Sequence, residues 1–346
     1  MNPALSVVLL MLPFLGGGLL LILPGLLEWL RPKDANPLPI DGLYAKHDGV
    51  FADRFRQLAA PWWDDPDAMG HGRMTLAAVT ALARPILAET LTAGAGVVLL
   101  EEAWALKELT LGPGARVRAL VSDGTIDLAR DCSVQRWIHG DGAVILGENC
   151  EVAARITSKE RVWMEGGCRS QLISAPTIEW QSPYRPMHLE IPTHARKWIQ
   201  RRRIQETGKN WDIPRQGGGP GSTTFVNGDL ILDSDADVDF PLVVRGNLYI
   251  RRGALIAGDI KAHGDLVVEG STVVGNLCCN GRLLVGEGSW VQGCLRGDAL
   301  VWLGDEVVIG RTNRPEAVVG DRIILAGNGR VHGRLRALAG WITVER

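Results

Sequence analysis

The sequence lacks an excess of charge of either sign. Its 346 residues include 37 Lys and Arg against 39 Asp and Glu, which gives a net charge of −2. Because no basic field would draw such a chain to nucleic acid, we expect no nucleic-acid partner. Aromatic residues are scarce at 6%, whereas the 42 glycines exceed the average share of roughly 7% and indicate many tight corners.

Motifs for nucleotide, metal and nucleophilic chemistry are also missing. The run GGGPGS at 217–222 lacks the Gly-Lys-Ser/Thr ending of a phosphate-binding loop. The run DSDADVD at 233–239 has Val238 and Val244 where an EF-hand needs glycine and glutamate, so we interpret it as a solvated acidic corner. His139 and its neighbour Asp141 have no nucleophile at a recognisable spacing. The sequence therefore predicts no catalytic residue, metal site or cofactor. We expect that the protein is not an enzyme.

No charged side chain occurs between Met1 and Leu27. This run exceeds the roughly 20 residues that cross a bilayer, so residues 1–33 are predicted to form a membrane anchor. Its prolines and glycines leave two half-helices in one leaflet as an alternative. The predicted anchor residues are Leu9, Leu10, Leu20, Leu21 and Ile22 in the apolar run, Trp29 at the interface, and Arg31 and Lys33 beyond it. The positive-inside rule then predicts a single-pass protein of the bacterial inner membrane whose C-terminal domain is cytoplasmic.

Residues 34–104 form the next predicted unit, a helical juxtamembrane segment. Phe51, Phe55, Leu58 and Trp62 recur at helical spacing, and the run at 74–91 is predicted to be helical as well. The aromatic stripe can lie on the membrane surface or dock on the domain that follows; docking is the more common use. The segment would then cap the N-terminal end of that domain.

A phrase of roughly 17 to 18 residues repeats through the rest of the chain. Apolar or small residues recur at offsets 0, 2, 6 and 8 of each unit, with glycines between the units. Examples are Leu109, Leu111, Ala115 and Val117; Leu248, Ile250, Ala254 and Ile256; and Leu283, Val285, Ser289 and Val291. Alternation within each phrase indicates strands, and the repeat predicts an all-β solenoid, a parallel β-helix. We place its first coils at 105–182 and its second coils at 222–346.

Residues 183–221 separate the two runs of coils as a basic insertion or linker rich in Pro and Gly. One rod with an insertion is favoured, and two rods remain open. The cluster at Lys197, Arg201, Arg202 and Arg203 is a candidate contact for anionic lipid or an acidic partner. A solvated loop is an equal alternative.

Three of the six cysteines recur at the spacing of one coil, at Cys132, Cys150 and Cys168. They occupy an inward slot that alanine or serine fills in other coils, where a free thiol behaves as a small apolar side chain. A column of sulfur atoms on a line does not offer the tetrahedron that zinc prefers. We therefore predict packing at these positions.

Units such as GNLYIRRGALIAGDIKAHGDLVVEGSTVVGNL and DGAVILGENCEVAARI resemble the bactofilins, polymer-forming cytoskeletal proteins of bacteria. The resemblance covers about residues 105–180 and 222–310 and rests on the repeat pattern, in a chain longer than typical members. It implies a right-handed β-helix that associates through its ends at the inner membrane without nucleotide. Expected partners are the membrane, further copies of the chain and cell-envelope or shape-determining proteins, for which the protein would be a scaffold.

The end of the chain, LAGWITVER, has no evident cap. We predict that Trp341, Ile342 and Val344 belong to a last coil that pairs with the same coil of another molecule, giving a dimer or a polymer. The alternative function is an acyltransferase with a left-handed β-helix of hexapeptide repeats, whose coils have a similar length. The paired large residues at offsets 0 and 2, and the coils that are one residue shorter than the rest, do not fit a strict six-residue period.

Overall fold

The computed structural model describes residues 48–64, 72–78, 81–182 and 223–346. Within these ranges the chain forms a short helix, a 3-10 turn and 31 strands that join in one sheet. The strands make an all-β solenoid of about 13 turns, so this part of the prediction is confirmed. At about 4.8 Å per turn, the solenoid is about 60 Å long.

Helix α1 spans Val50–Ala59 and the 3-10 turn spans Ala60–Asp64. The strands of the first stack are β1 Arg73–Leu76, β2 Ala81–Leu82, β3 Ile86–Ala93, β4 Val98–Leu111, β5 Arg116–Ser122, β6 Thr125–Leu128, β7 Ser133–Val134, β8 Trp137–Gly140, β9 Val144–Leu146, β10 Glu151–Ser158, β11 Arg161–Glu165 and β12 Arg169–Gln181.

The strands of the second stack are β13 Thr224–Val226, β14 Leu230–Leu232, β15 Asp237–Val238, β16 Leu242–Val244, β17 Leu248–Ile250, β18 Leu255–Ile256, β19 Ile260–Ala262, β20 Leu266–Val268, β21 Thr272–Val273, β22 Leu277–Cys279, β23 Arg282–Val285, β24 Trp290–Val291, β25 Leu295–Gly297, β26 Leu300–Leu303, β27 Val307–Ile309, β28 Glu316–Gly320, β29 Ile323–Leu325, β30 Asn328–Ala337 and β31 Ile342–Val344.

Within each stack, every coil pairs in parallel with the next at a shift of one repeat. Leu248, for example, aligns with Leu266, and Leu266 aligns with Leu283. The apolar residues at the repeat offsets point inward and, apart from the partly buried Ala236, are buried, so they form continuous ladders through the core. This burial is the main source of stability, because apolar area removed from water contributes about 25 cal/mol per Å².

Side chains at the coil corners of the second stack accept hydrogen bonds from the backbone of the next coil. The backbone N–H of Asn247 donates to Asp229 Oδ1 at 2.7 Å, and the N–H of Asp265 donates to Asn247 Oδ1 at 2.8 Å. Gly258 shows why corners need glycine, since a Cβ there would lie 2.0 Å from the carbonyl oxygen of Phe240. The acidic run at 233–239 is one such corner: its four aspartates are exposed while Val238 points inward, as predicted.

The prediction of helix at residues 74–91 is wrong. This stretch contributes β1, β2 and most of β3, which add coils before residue 105. Leu91, Ala93, Val97 and Leu99 are buried at the same offsets of 0, 2, 6 and 8. Alanine-rich composition favours helix locally, but pairing of each strand with the following coil overrides that preference.

The membrane-anchor residues Leu9, Leu10, Leu20, Leu21, Ile22, Trp29, Arg31 and Lys33 lie outside the described residues. Within the described ranges, no helix combines the length and the apolar content that crossing a bilayer requires.

Candidate functional site

The two stacks meet through their C-terminal coils. Strand β12 runs antiparallel to β30, with Leu172 opposite Arg336 and Ile178 opposite Val331. It also runs antiparallel to β31, where Ser170 is opposite Ile342. The two stacks therefore form one rod in which the coil direction reverses at the middle, and we call this contact the junction.

A tryptophan and a glycine fit together at the junction. Trp180 of β12 is 1% exposed, and its Nε1–H donates to the carbonyl oxygen of Ala326 at 3.2 Å. A Cβ on Gly329 of β30 would lie 2.2 Å from the Trp180 ring, so the glycine makes room for the indole. Beside them, Arg330 Nε donates to Glu179 Oε1 at 2.7 Å across the two stacks.

The prediction that the C-terminal coil is uncapped is wrong. Ile342 and Val344 do belong to the last coil, and Trp341 precedes it. The edge of that coil, however, pairs with the first stack of the same chain: Val344 N–H donates to the carbonyl oxygen of Cys168 at 2.9 Å. Arg169 also lies over the Trp341 ring, at 5.5 Å from its centroid. The edge that the prediction assigned to a second molecule is already paired.

The coils at the two outer ends differ from the junction coils. Among the described residues, β1 and β2 pair only with the coil of β3 and β4, and β13 to β15 pair only with β16 to β18. In β13, the N–H of Thr224 donates to the carbonyl oxygen of Pro241, and the carbonyl oxygen of Val226 accepts from the N–H of Arg245. Since alternate residues of a parallel strand point to opposite sides, the N–H and C=O of Phe225 point to the outer edge. The sequence pattern shows where coils occur but not which coils lack a further partner among the described residues.

Helix α1 packs on the side of the first stack, so the predicted docking is confirmed and this helix does not form the predicted N-terminal cap; residues 34–47 of the predicted cap lie outside the described residues. Aromatic side chains of the helix and of the 3-10 turn meet outward-pointing tryptophans of the solenoid. The Phe51 ring stacks on Trp137 with centroids 6.4 Å apart, and Trp63 meets Trp104 edge to face at 5.4 Å. The signal in the sequence was tryptophan at positions that the repeat assigns to the solvent side.

An ionic network ties the helix to two coil corners. Arg56 Nε donates to Asp123 Oδ1 at 2.9 Å, and Arg56 Nη2 donates to Asp141 Oδ1 at 3.1 Å. Lys159 Nζ also donates to Asp141, at 2.8 Å. Burial alone would raise the pKa of Asp141, but these bonds and charges outweigh it and hold that pKa below its usual range.

His139 lies under this network and is 4% exposed. Its Nδ1 is 2.7 Å from Thr157 Oγ1 and its Nε2 is 3.0 Å from Asp141 Oδ1. Burial has the largest influence on the pKa of His139 and lowers it, together with the charges of Arg56 and Lys159, although Asp141 opposes this shift. The neutral ring can donate Nε2–H to Asp141, and the single proton of the Thr157 hydroxyl is then shared between Nδ1 and the carbonyl oxygen of Ile138, which is 3.1 Å from Oγ1.

We expect the protein to lose stability as the pH falls below about 6.5, the ordinary pKa of histidine. His139 has a lower pKa in the folded state, so the unfolded state binds its proton first and stability rises with pH through this window. His139→Gln should flatten the dependence of the urea midpoint between about pH 6.5 and 5. The exposed His263→Gln is the control, and an unchanged slope in His139→Gln would contradict the assignment.

The column of cysteines packs as predicted. Cys132, Cys150 and Cys168 are buried free thiols, and each donates to a carbonyl oxygen of the preceding coil. The Cys150–Ala129 bond, for example, is 3.1 Å. In the described part of the chain, no group of three or more His, Cys, Asp or Glu residues is arranged to hold a metal ion.

A groove of about 480 Å³ crosses the junction on its outer surface. Its described lining is Trp163, Glu179, Trp180, Gln181, Glu306, Val307, Val308, Asn328, Gly329 and Arg330. Glu179 and Arg330 form an ion pair in this groove, and this ion pair joins the two stacks.

The predicted lipid or partner contact at Lys197, Arg201, Arg202 and Arg203 lies outside the described residues. Comparison of the chain with protein-family models, curated proteins and solved structures finds no match.

Proposed function

We propose that this chain is a bactofilin-like structural scaffold that self-associates through the outer coils of its two stacks. The observation that carries the proposal is the junction: it occupies both C-terminal coils within one chain and leaves both N-terminal coils at the ends of the rod. Edge strands with backbone groups that point outward are a template for pairing with a further chain.

We also propose a handedness, a membrane tether, a location and partners for this scaffold. The solenoid is right-handed, residues 1–33 tether it to the bacterial inner membrane, and the rod lies in the cytoplasm. There it organises cell-envelope or shape-determining partners without nucleotide, cofactor or catalysis. The resemblance of the repeat to the bactofilins supports these features, and the apolar run before Glu28 supports the tether.

Electron microscopy of the purified full chain in detergent, without nucleotide, tests the proposal. We expect rods of about 60 Å, the length given by the spacing of the coils, joined end to end as pairs or filaments. Compact particles with threefold symmetry would contradict it and favour the acyltransferase alternative. Dispersed single rods at every protein concentration would also contradict it.

A further inference from the structure

The second stack carries a continuous row of apolar side chains on one outward face. The row, which we call the apolar row, consists of Ile231, Tyr249, Val267, Leu284, Trp302 and Ile324 at successive coils. Across the junction, the same face continues on the first stack. There the outward residues are polar: Arg116, Ser133, Glu151 and Arg169. A solvated sheet face alternates apolar inside with polar outside, so the apolar row is not the pattern of a face left to water.

The burial of residues in the row also indicates a face that is not left to water. Val267 and Tyr249 point away from the core but are only 4% and 7% exposed. On the neighbouring face of the same stack, Leu255 and Trp290 also point outward and are 44% and 41% exposed. The described apolar residues that pack on Val267 and Tyr249 are members of the row itself, Ile231 and Leu284.

The path of the chain brings one segment to both ends of the row. Ser182 N–H donates to Gly327 at 2.8 Å, and Gly327 lies three residues after Ile324, the inner end of the row. The chain is described again from Thr223, which enters the outermost coil eight residues before Ile231. The two described points that residues 183–222 connect are about 30 Å apart along the second stack, a distance well within the reach of a segment of this length.

Charge and composition of that segment complement the surface. Residues 183–222 contain eight Lys and Arg against three acidic residues, together with apolar residues that include Trp198 and Trp211. The outermost coil carries five aspartates and no basic residue between 229 and 239. Asp229 and Asp265 lie close enough to the row for their charges to raise the pKa of Tyr249, after burial, which is the larger cause.

We propose that residues 183–222 dock on the apolar row and brace the second stack from the junction to its outer end. Apolar side chains of the segment cover Val267 and Leu284, and its basic side chains face the acidic outer coil. The segment would thus be part of the rod and not an arm reserved for lipid or a partner protein.

Two protease sites test this in the full chain, one introduced after Ser182 and one in the glycine run at 217–221. After double cleavage and gel filtration under native conditions, we expect the freed peptide to elute with the solenoid. Val267→Asp and Leu284→Asp should each reduce its retention at least tenfold. Ile145→Asp, an outward apolar residue of the first stack, is the matched control and should retain the peptide.

Release of the peptide from the wild-type solenoid would overturn the proposal without depending on any variant. In that case light scattering would show whether the row binds a second copy, and flotation with phosphatidylserine vesicles would show whether it binds lipid. Retention that Val267→Asp and Leu284→Asp leave unchanged would also overturn it, because the peptide would then bind elsewhere.

Discussion

We expect Trp180→Ala to lower the free energy of unfolding by about 3–5 kcal/mol, the usual range for emptying a buried tryptophan site. Trp180 is 1% exposed, fits against Gly329 of the other stack and bonds to the carbonyl of Ala326. Its loss leaves a cavity and an unpaired carbonyl where the two stacks meet. Since solenoid stability is nearly a sum of contacts between neighbouring coils, weakening the junction should also separate the unfolding of the two stacks.

Urea unfolding followed by circular dichroism measures both effects. Trp163→Ala is the matched control, because Trp163 lies in the neighbouring coil but points outward and is only partly buried. We expect a loss of about 1 kcal/mol there, in line with the smaller apolar area that it removes from water. Equal losses in the two variants would contradict the role assigned to the junction.

Phe225→Pro should abolish association through the outer end of the second stack while leaving the rod folded. The N–H and C=O of Phe225 point to the outer edge of β13, and the neighbouring N–H and C=O of Thr224 and Val226 bond to the next coil. Proline removes that outward donor and is tolerated at the edge of a sheet. Mass photometry across a range of concentrations would then show no species larger than a pair joined through the first stacks, in place of filaments.

Phe225→Ala separates backbone pairing from side-chain contact, since it removes the exposed ring and keeps the N–H. We expect it to associate more weakly than the wild type, within about tenfold, because the edge can still pair. Association of Phe225→Pro at the wild-type level would show that this edge is not used.

The repeat phrase carries most of the information on the coils, because inward positions are set by local alternation and by the width of the core. It places the buried residues of 109–170 and 230–291 correctly. The same phrase applies to Leu91, Ala93, Val97 and Leu99, which are buried as well. There the alanines made the phrase hard to recognise, because the stretch also satisfies a helical pattern.

The junction was not predictable in the same way. Antiparallel pairing between Leu172 and Arg336 joins backbone edges that are far apart along the chain, and backbone edges leave no periodic pattern in the sequence. The complementary sizes of Trp180 and Gly329 are a real signature, but they become visible only when the two strands are aligned. Docking of α1 on the side of the stack likewise depended on outward tryptophans whose partner the repeat does not identify.

The most direct test of this account is a cross-link at the junction. Arg169 and Thr343 face each other on antiparallel strands, so a short bis-maleimide should link Arg169→Cys to Thr343→Cys. Cys278 and Cys294, the two partly exposed cysteines, are replaced by serine to remove background reaction. We expect a cross-link within one chain, at the mass of the monomer. A cross-linked product at the mass of the dimer would show that the C-terminal coils pair between molecules, and it would contradict the single reversed rod.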